Sequence, residues 1–258
     1  MNSVKRIIEA LFKHLEKSRD VDNCKEYTFS ENIQLNKIKT LEVLLKNANV
    51  QLIYSDEENM ALSLLYKKIG GNKDVPFDIK KLDTALKLEE LVDSDLFEFQ
   101  ITIRIPKQIS NIEIKTLNGN IVLQGNQYDC LKVESSNGNV EMADTVFFNG
   151  IIKTKTGNVG LKKITYDSLD VLSENGNILL TESMLGNSRM KNQNGNIIFK
   201  RCRSSIMDVH MVLESVNGRV RRNKMLWNNE ESKSNVLSKM NQHNEICLYS
   251  VNGNITID

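Results

Sequence analysis

Seven segments of this chain share one pattern built around a glycine: IEIKTLNGNIVL (112–123), LKVESSNGNVEM (131–142), GIIKTKTGNVGL (150–161), LDVLSENGNILL (169–180), SRMKNQNGNIIF (188–199), MVLESVNGRVRR (211–222) and ICLYSVNGNITI (246–257). Their glycines are Gly119, Gly138, Gly157, Gly176, Gly195, Gly218 and Gly253. The first five stand 19 residues apart, and the later gaps are 23 and 35. A constant period followed by longer gaps marks one repeating unit that accepts insertions late in the chain.

Each column of the repeat has a physical task. Two residues after the glycine stand Ile121, Val140, Val159, Ile178, Ile197, Val220 and Ile255, all β-branched. Four after it stand Leu123, Met142, Leu161, Leu180, Phe199, Arg222 and Ile257, with Arg222 the one polar member. Five before it stand Ile114, Val133, Ile152, Val171, Met190, Leu213 and Leu248. Apolar residues at every second position on both sides of the glycine give the period of a β-strand. The Asn-Gly pair between them reads as a turn with positive φ, which glycine adopts without steric cost. Only Thr156 replaces the asparagine before the glycine. Three residues before the glycine stand Thr116, Ser135, Thr154, Ser173, Asn192, Ser215 and Ser250. They share a face with the apolar column, so each needs a partner in turn backbone or in the same residue of the next unit.

Two folds fit this pattern. A meander of hairpins closed by Asn-Gly type I′ turns would pair Val133 with Met142 and Ser135 with Val140. A β-solenoid would stack one coil of about 19 residues on the next at roughly 4.8 Å. The solenoid accounts for more. It lays each column on itself, so asparagines can form amide ladders, whereas a meander gives no reason for shared N-G-N corners. The expected class is therefore mainly β: a β-solenoid with regular coils over about 108–258.

The repeat reaches further upstream. LEVLLKNANVQL (41–52) matches column by column through Leu41, Val43, Asn47, Asn49, Val50 and Leu52, with Ala48 in place of glycine. MALSLLY (60–66) reads as a strand, as does LFEFQITIRIP (96–106), which Pro106 ends by removing a ladder donor. Residues 69–95 read as a polar insertion with a short helix around 79–92, and 223–245 as a second insertion. Residues 3–18 form an amphipathic pattern, with Val4, Ile7, Ile8, Leu11, Phe12 and Leu15 on one face. This N-terminal cap, residues 1–20, is expected to cover the exposed first coil of a 21–258 repeat domain. A membrane-surface or oligomer contact is its functional alternative.

Composition narrows the function classes. The 258 residues carry a formal net charge of +1, unlike a dedicated nucleic-acid binder. The four cysteines, Cys24, Cys130, Cys202 and Cys247, are too scattered for a zinc site or a disulfide framework. The N-terminus lacks the unbroken apolar run of a secretory signal, and nothing has the length of a spanning helix. The expected location is the cytoplasm or a membrane periphery. Aromatics are only 6%, consistent with an interior lined by Ile, Val and Leu.

The strand ending in I-x-I-P (Ile103 to Pro106), followed by serial [ILV]-x-[ILV]-x-[ST]-x-N-G-N-[IV]-x-[IL] units, resembles the bacterial putative-adhesin family of β-strand-repeat proteins, a domain of unknown function. The resemblance covers about residues 38–258. It implies a right-handed β-solenoid-like domain and carries over no catalytic or cofactor-binding residue. Some relatives carry short helical segments ahead of it and are linked to envelope-stress operons.

His14, His210 and His243 have no neighbouring nucleophile or metal-spaced partner. Acidic residues fall in different columns, unlike the calcium and arginine sites of β-helix polysaccharide lyases. We therefore expect a non-enzymatic binding or scaffold protein without cofactor or metal. The alternatives are a carbohydrate-active β-helix enzyme and an envelope-stress scaffold docking through helix 3–18. The candidate surface is basic. Arg201 and Arg203, then Arg219, Arg221, Arg222 and Lys224, would lie on adjacent coils if the units stack. Trp227 follows as an anchor. Its expected partner is a protein or an anionic envelope polymer or lipid.

Overall fold

The computed structural model describes residues 20–21, 24–69, 77–91, 96–204, 210–222 and 245–258. The amphipathic segment 3–18, Lys224 and Trp227 lie outside them. The described residues are strands and turns, without a helix, and the strands join in one open sheet.

The repeats stack in parallel. Val50 pairs with Ile121, and the same column continues through Val140, Val159, Ile178, Ile197 and Ile255. Each coil has three sides. The first holds Asn111–Asn118, Asn187–Asn194, Glu245–Asn252 and their counterparts. The second follows the N-G-N corner with Val159–Lys162, Ile178–Thr181 and Ile197–Lys200. The third is short, with Tyr128 beside Phe147 and Phe147 beside Tyr166. The degenerate first coil is real: Thr40–Asn47 and Asn49–Ser55 pair in register with Asn111–Asn118 and the start of Ile121–Asn137.

Strand alternation aims the apolar columns inward. Ile121, Val140, Val159, Ile178, Ile197 and Ile255 are all completely buried. Burying each such side chain contributes about 1.5–3 kcal/mol. Rings are not excluded from this interior. Tyr128, Phe147 and Tyr166 fill the third side, and the last two stack at 5.5 Å between centroids. The Tyr166 hydroxyl shares a 2.7 Å hydrogen bond with Ser188 Oγ. This aromatic column also recurs every 19 residues, on the one side that carries no N-G-N motif to draw attention to it.

The insertion at 69–95 is a correction. Where a helix was expected around 79–92, Phe77–Lys81 and Ala85–Glu90 form an antiparallel hairpin. Ala, Leu, Lys and Glu favour helix in isolation. Here Leu86 and Leu88 pair with Leu41 and Val43 on the open edge of the first coil, and tertiary pairing wins. Ala85–Glu90 thus does on the first side what the N-terminal helix was expected to do. Buried Glu90 finishes the task, its Oε2 accepting from the backbone N–H groups of Lys46 and Asn47. On the second side Leu96–Pro106 runs parallel to Asn49–Ser55, and Met60–Ile69 and then Cys24–Ile33 add antiparallel strands.

The C-terminal end departs from chain order. Asn187–Asn194 pairs with Glu245–Asn252, which pairs in turn with His210–Ser215. The Gly253 coil, last in sequence, therefore lies between the Gly195 and Gly218 coils. Four residues beyond the usual 19 separate Gly195 from Gly218. The placement has a cause. The Gly253 coil keeps every apolar column, whereas the Gly218 coil carries Arg222. Among the described residues the imperfect coil takes the end of the stack, where Val220 is 43% exposed and Arg222 half-buried.

Candidate interaction surfaces

The N-G-N corner forms two exposed amide ladders. In one, Asn118 Nδ2 donates to Asn47 Oδ1 (2.7 Å), Asn137 to Asn118 (2.8 Å), Asn194 to Asn175 (2.8 Å), Asn252 to Asn194 (2.7 Å) and Asn217 to Asn252 (2.8 Å). Thr156 interrupts it, and Asn175 Nδ2 turns to Lys155 O instead (3.4 Å). In the other, the Oδ1 of each asparagine after the glycine accepts the backbone N–H of its successor. This runs unbroken from Asn49 to Arg219 at 2.8–3.0 Å.

The glycines of this corner answer to close approach more than to φ. A Cβ on Gly157 would lie 2.1 Å from Gly138 O, and one on Gly253 would lie 1.9 Å from Gly195 O. Those same carbonyls accept from the small polar column. Ser135, Thr154, Ser250 and Ser215 donate to the glycine oxygen of the preceding coil at 3.3, 3.4, 3.1 and 2.7 Å. Ser173 Oγ is the exception, buried without a partner among the described residues.

A second corner, absent from the sequence reading, joins the second and third sides. Gly125, Asp144, Lys163, Glu182 and Arg201 occupy it, all with φ between +52° and +59°. The four charged residues alternate in sign up the stack. Lys163 Nζ lies 4.0 Å from Asp144, and Arg201 lies 2.6 Å from Glu182.

The basic candidates do not converge. Arg201 sits in this charge ladder. Arg203 is exposed on the third side beside Met184. Arg219 follows the Gly218 corner, Arg221 faces outward on the second side, and Arg222 pairs with Ile257. The Gly253 coil separates the 200–203 group from the 219–222 group, so the expected adjacency is replaced by a spread around the C-terminal end.

The first side carries an outward row of paired charges. Glu113 holds Lys115 (2.7 Å) and Lys132 (3.0 Å), and Glu134 lies 3.9 Å from Lys132 and 3.7 Å from Lys153. The lysines hold the Glu113 carboxyl below the usual carboxylate range through their hydrogen bonds, Lys115 first. Ile151 and Leu172 stand exposed beside this row. At the N-terminal end, an open cavity of about 650 Å³ is lined by Gln34, Asn36, Tyr54, Asp56, Asn59 and Gln108. Among the described residues no three His, Cys, Asp or Glu side chains gather to hold a metal ion. No helix among them is long and apolar enough to cross a membrane.

Stacked parallel coils, polar corner ladders and a charged first side define a β-solenoid. The chain belongs to the Toastrack DUF4097 family, whose model matches residues 38–258. Solved structures similar to it are described as putative adhesins. A putative cell adhesion protein from Clostridium sporogenes ATCC 15579 is 13% identical, covering 90% of this chain and 99% of its own, with a TM-score of 0.35. A putative adhesin from Bacteroides fragilis NCTC 9343 is 12% identical, covering 90% and 97%, with a TM-score of 0.47. Among curated proteins no match is found.

Proposed function

We propose that this protein is a non-enzymatic binding scaffold, a right-handed solenoid of 19-residue coils whose first side recognises a protein or polymer surface. Parallel connections are right-handed in about 98% of cases, which supports the handedness. The observation that carries the function is the first side itself. Its carboxylates at Glu113 and Glu134 are interleaved with Lys115, Lys132 and Lys153, and exposed Ile151 and Leu172 adjoin them. Such a ladder offers an extended surface, which suits recognition by area more than by pocket. A lyase-like enzyme needs several carboxylates converging across adjacent coils; here Glu42 neighbours Glu113, but Lys132 stands between Glu113 and Glu134. The names of the structural neighbours, putative adhesins, agree with surface binding. The site of action is the cytoplasm or a membrane periphery, with exposed Arg203, Arg219 and Arg221 as a secondary contact for anionic polymer or lipid.

The test is capture from membrane and soluble fractions of the native cell. The bait is wild type or a Lys132→Glu/Ile151→Asp/Lys153→Glu variant of unchanged melting temperature. Loss of a partner by the variant supports the first side; identical capture by both rejects it. Pelleting with anionic liposomes, wild type against Arg203→Ala/Arg219→Ala/Arg221→Ala, tests the second contact.

A further inference from the structure

The out-of-order coil leaves a slot in the body of the protein that its last residues fill. Every contact of residues 245–258 with the rest of the described chain is made between neighbouring coils. On one wall, Gly195 N and Ile197 N donate to Asn252 O (3.0 Å) and Asn254 O (2.9 Å), and Arg201 N donates to Asp258 O (3.1 Å). On the other wall, Ile255 N donates to Arg219 O (3.0 Å), and Val216 N and Asn217 N donate to Ser250 O (3.0 Å) and Val251 O (2.8 Å). The covalent link to the body is the stretch 223–244, which at full extension spans at most roughly 75 Å. The next coil lies only about 5 Å away. Nothing in the slot therefore records which copy of the chain supplied the coil.

The slot is selective for its occupant. It demands glycine at the corner, because a Cβ on Gly253 would meet Gly195 O, and one on Gly218 would meet Gly253 O at 2.0 Å. It demands asparagines on both sides of that glycine, because Asn252 and Asn254 continue both amide ladders. It demands apolar residues matching Met190, Ile197 and Phe199 in register, which Leu248, Ile255 and Ile257 supply. The other coils of this chain are held in the stack by their neighbours in sequence. The segment that meets all three demands and hangs on a long connection is the C-terminal coil.

We propose that the slot between the Gly195 and Gly218 coils accepts the C-terminal coil of a second copy, so that two copies pair by reciprocal exchange of residues 245–258. The exchanged interface repeats the closed one contact for contact. The balance between the two is set by protein concentration against the effective concentration of the tethered coil, which falls as the connection lengthens. Exchange is strongest when the chain folds at high concentration, since the slot stays open until its last residues arrive.

The register supplies a reporter. Cys247 lies beside Arg189 on one wall and beside Val212 on the other. Neighbouring strand positions satisfy the Cα separation of about 4.4–6.8 Å that a disulfide needs. Two full-length chains of different tag mass are unfolded, mixed, refolded and oxidised. One carries Arg189→Cys/Cys247→Ser, the other retains Cys247, and both carry Cys24→Ser and Cys130→Ser. Burial, then Glu245, pushes the Cys247 thiol up to about 11, so oxidation is run at alkaline pH. A chain with Arg189→Cys and its own Cys247 checks the geometry, and Val212→Cys replaces it if that bond does not form. The expected result is a covalent heterodimer whose yield rises at least tenfold between micromolar and near-millimolar refolding. Wild type refolded at the high concentration then also shows a dimer by light scattering that persists on dilution. Absence of the covalent heterodimer, with only monomer at every concentration while the control chain closes its own bond to Cys247, overturns the proposal.

Discussion

Replacing Gly157 tests whether the N-G-N corner is held by contact between coils. A Cβ there would sit 2.1 Å from Gly138 O and 2.5 Å from Gly138 C, both backbone atoms. Ordinary contact begins at 3.4 Å, so the two corners must part by roughly 1.3 Å, which carries the bonds between them past hydrogen-bonding distance. Those bonds are Gly138 N to Thr156 O (2.8 Å), Val140 N to Asn158 O (2.9 Å) and Asn158 N to Asn139 Oδ1 (2.8 Å). Three lost bonds cost about 1 kcal/mol each. A side chain held at the φ of Gly157, +148°, adds about 1–3 kcal/mol. The expected loss is about 4–6 kcal/mol, a large part of the stability of a domain. Gly160 is the control, since its Cβ would meet nothing closer than Glu141 Cγ at 3.9 Å. Valine there is expected to be neutral or to stabilise by up to about 1 kcal/mol. The assay is urea unfolding followed by far-ultraviolet circular dichroism on Gly157→Ala, Gly157→Val and Gly160→Val. The clash lies at Cβ, so alanine should already carry most of the cost. Equal midpoints for Gly157→Val and Gly160→Val, or a harmless Gly157→Ala, would refute the reasoning.

Other substitutions probe the remaining columns. Thr156→Asn should complete the first amide ladder between Asn137 and Asn175 and raise stability by about 1 kcal/mol, read as a higher urea midpoint. Ser250→Ala should cost about 1 kcal/mol by leaving the column without its bond to Gly195 O, whereas Ser173→Ala should be neutral or slightly stabilising because its hydroxyl is buried unpaired. The two changes compared in one denaturation series check the assignment; an equal loss at both positions would contradict it. Lys163→Glu should set a carboxylate between those of Asp144 and Glu182, a row of like charge, and cost about 1 kcal/mol at low salt. Added salt should recover much of that loss by screening, and a salt-independent deficit would point away from the charge ladder.

Much of this architecture was legible in the sequence because stacking turns a fixed period into columns. The apolar columns through Ile121 and Ile114, the asparagine ladders and the degenerate coil at Leu41–Leu52 all follow from aligning residues at constant spacing. Three features did not follow, each for a physical reason. The hairpin of Phe77–Lys81 and Ala85–Glu90 is built from helix-favouring residues, and only the open edge of the first coil makes them strands. The second corner shows no common residue, since Gly125, Asp144, Lys163, Glu182 and Arg201 share a backbone conformation and not a side chain. The order of the last two coils did not follow, because a shared column pattern says that two coils stack but not in which order. The relevant signals were the four extra residues before Gly218 and the arginine at 222, which mark a coil fit for the end of the stack. That order is also why the basic candidates at 200–203 and 219–222 are not neighbours.

The second corner constrains how a chain like this can gain or lose length. Removing the single level that carries Lys163 would bring Asp144 against Glu182, and duplicating it would set lysine on lysine. Removing or duplicating the Lys163 and Glu182 levels together restores opposite neighbours throughout. The hydrophobic interior and the asparagine rows are indifferent to the number of levels, but the charged corner has a parity. Growth or shrinkage of this part of the stack should proceed by even steps, with odd steps accompanied by a compensating charge change in that column.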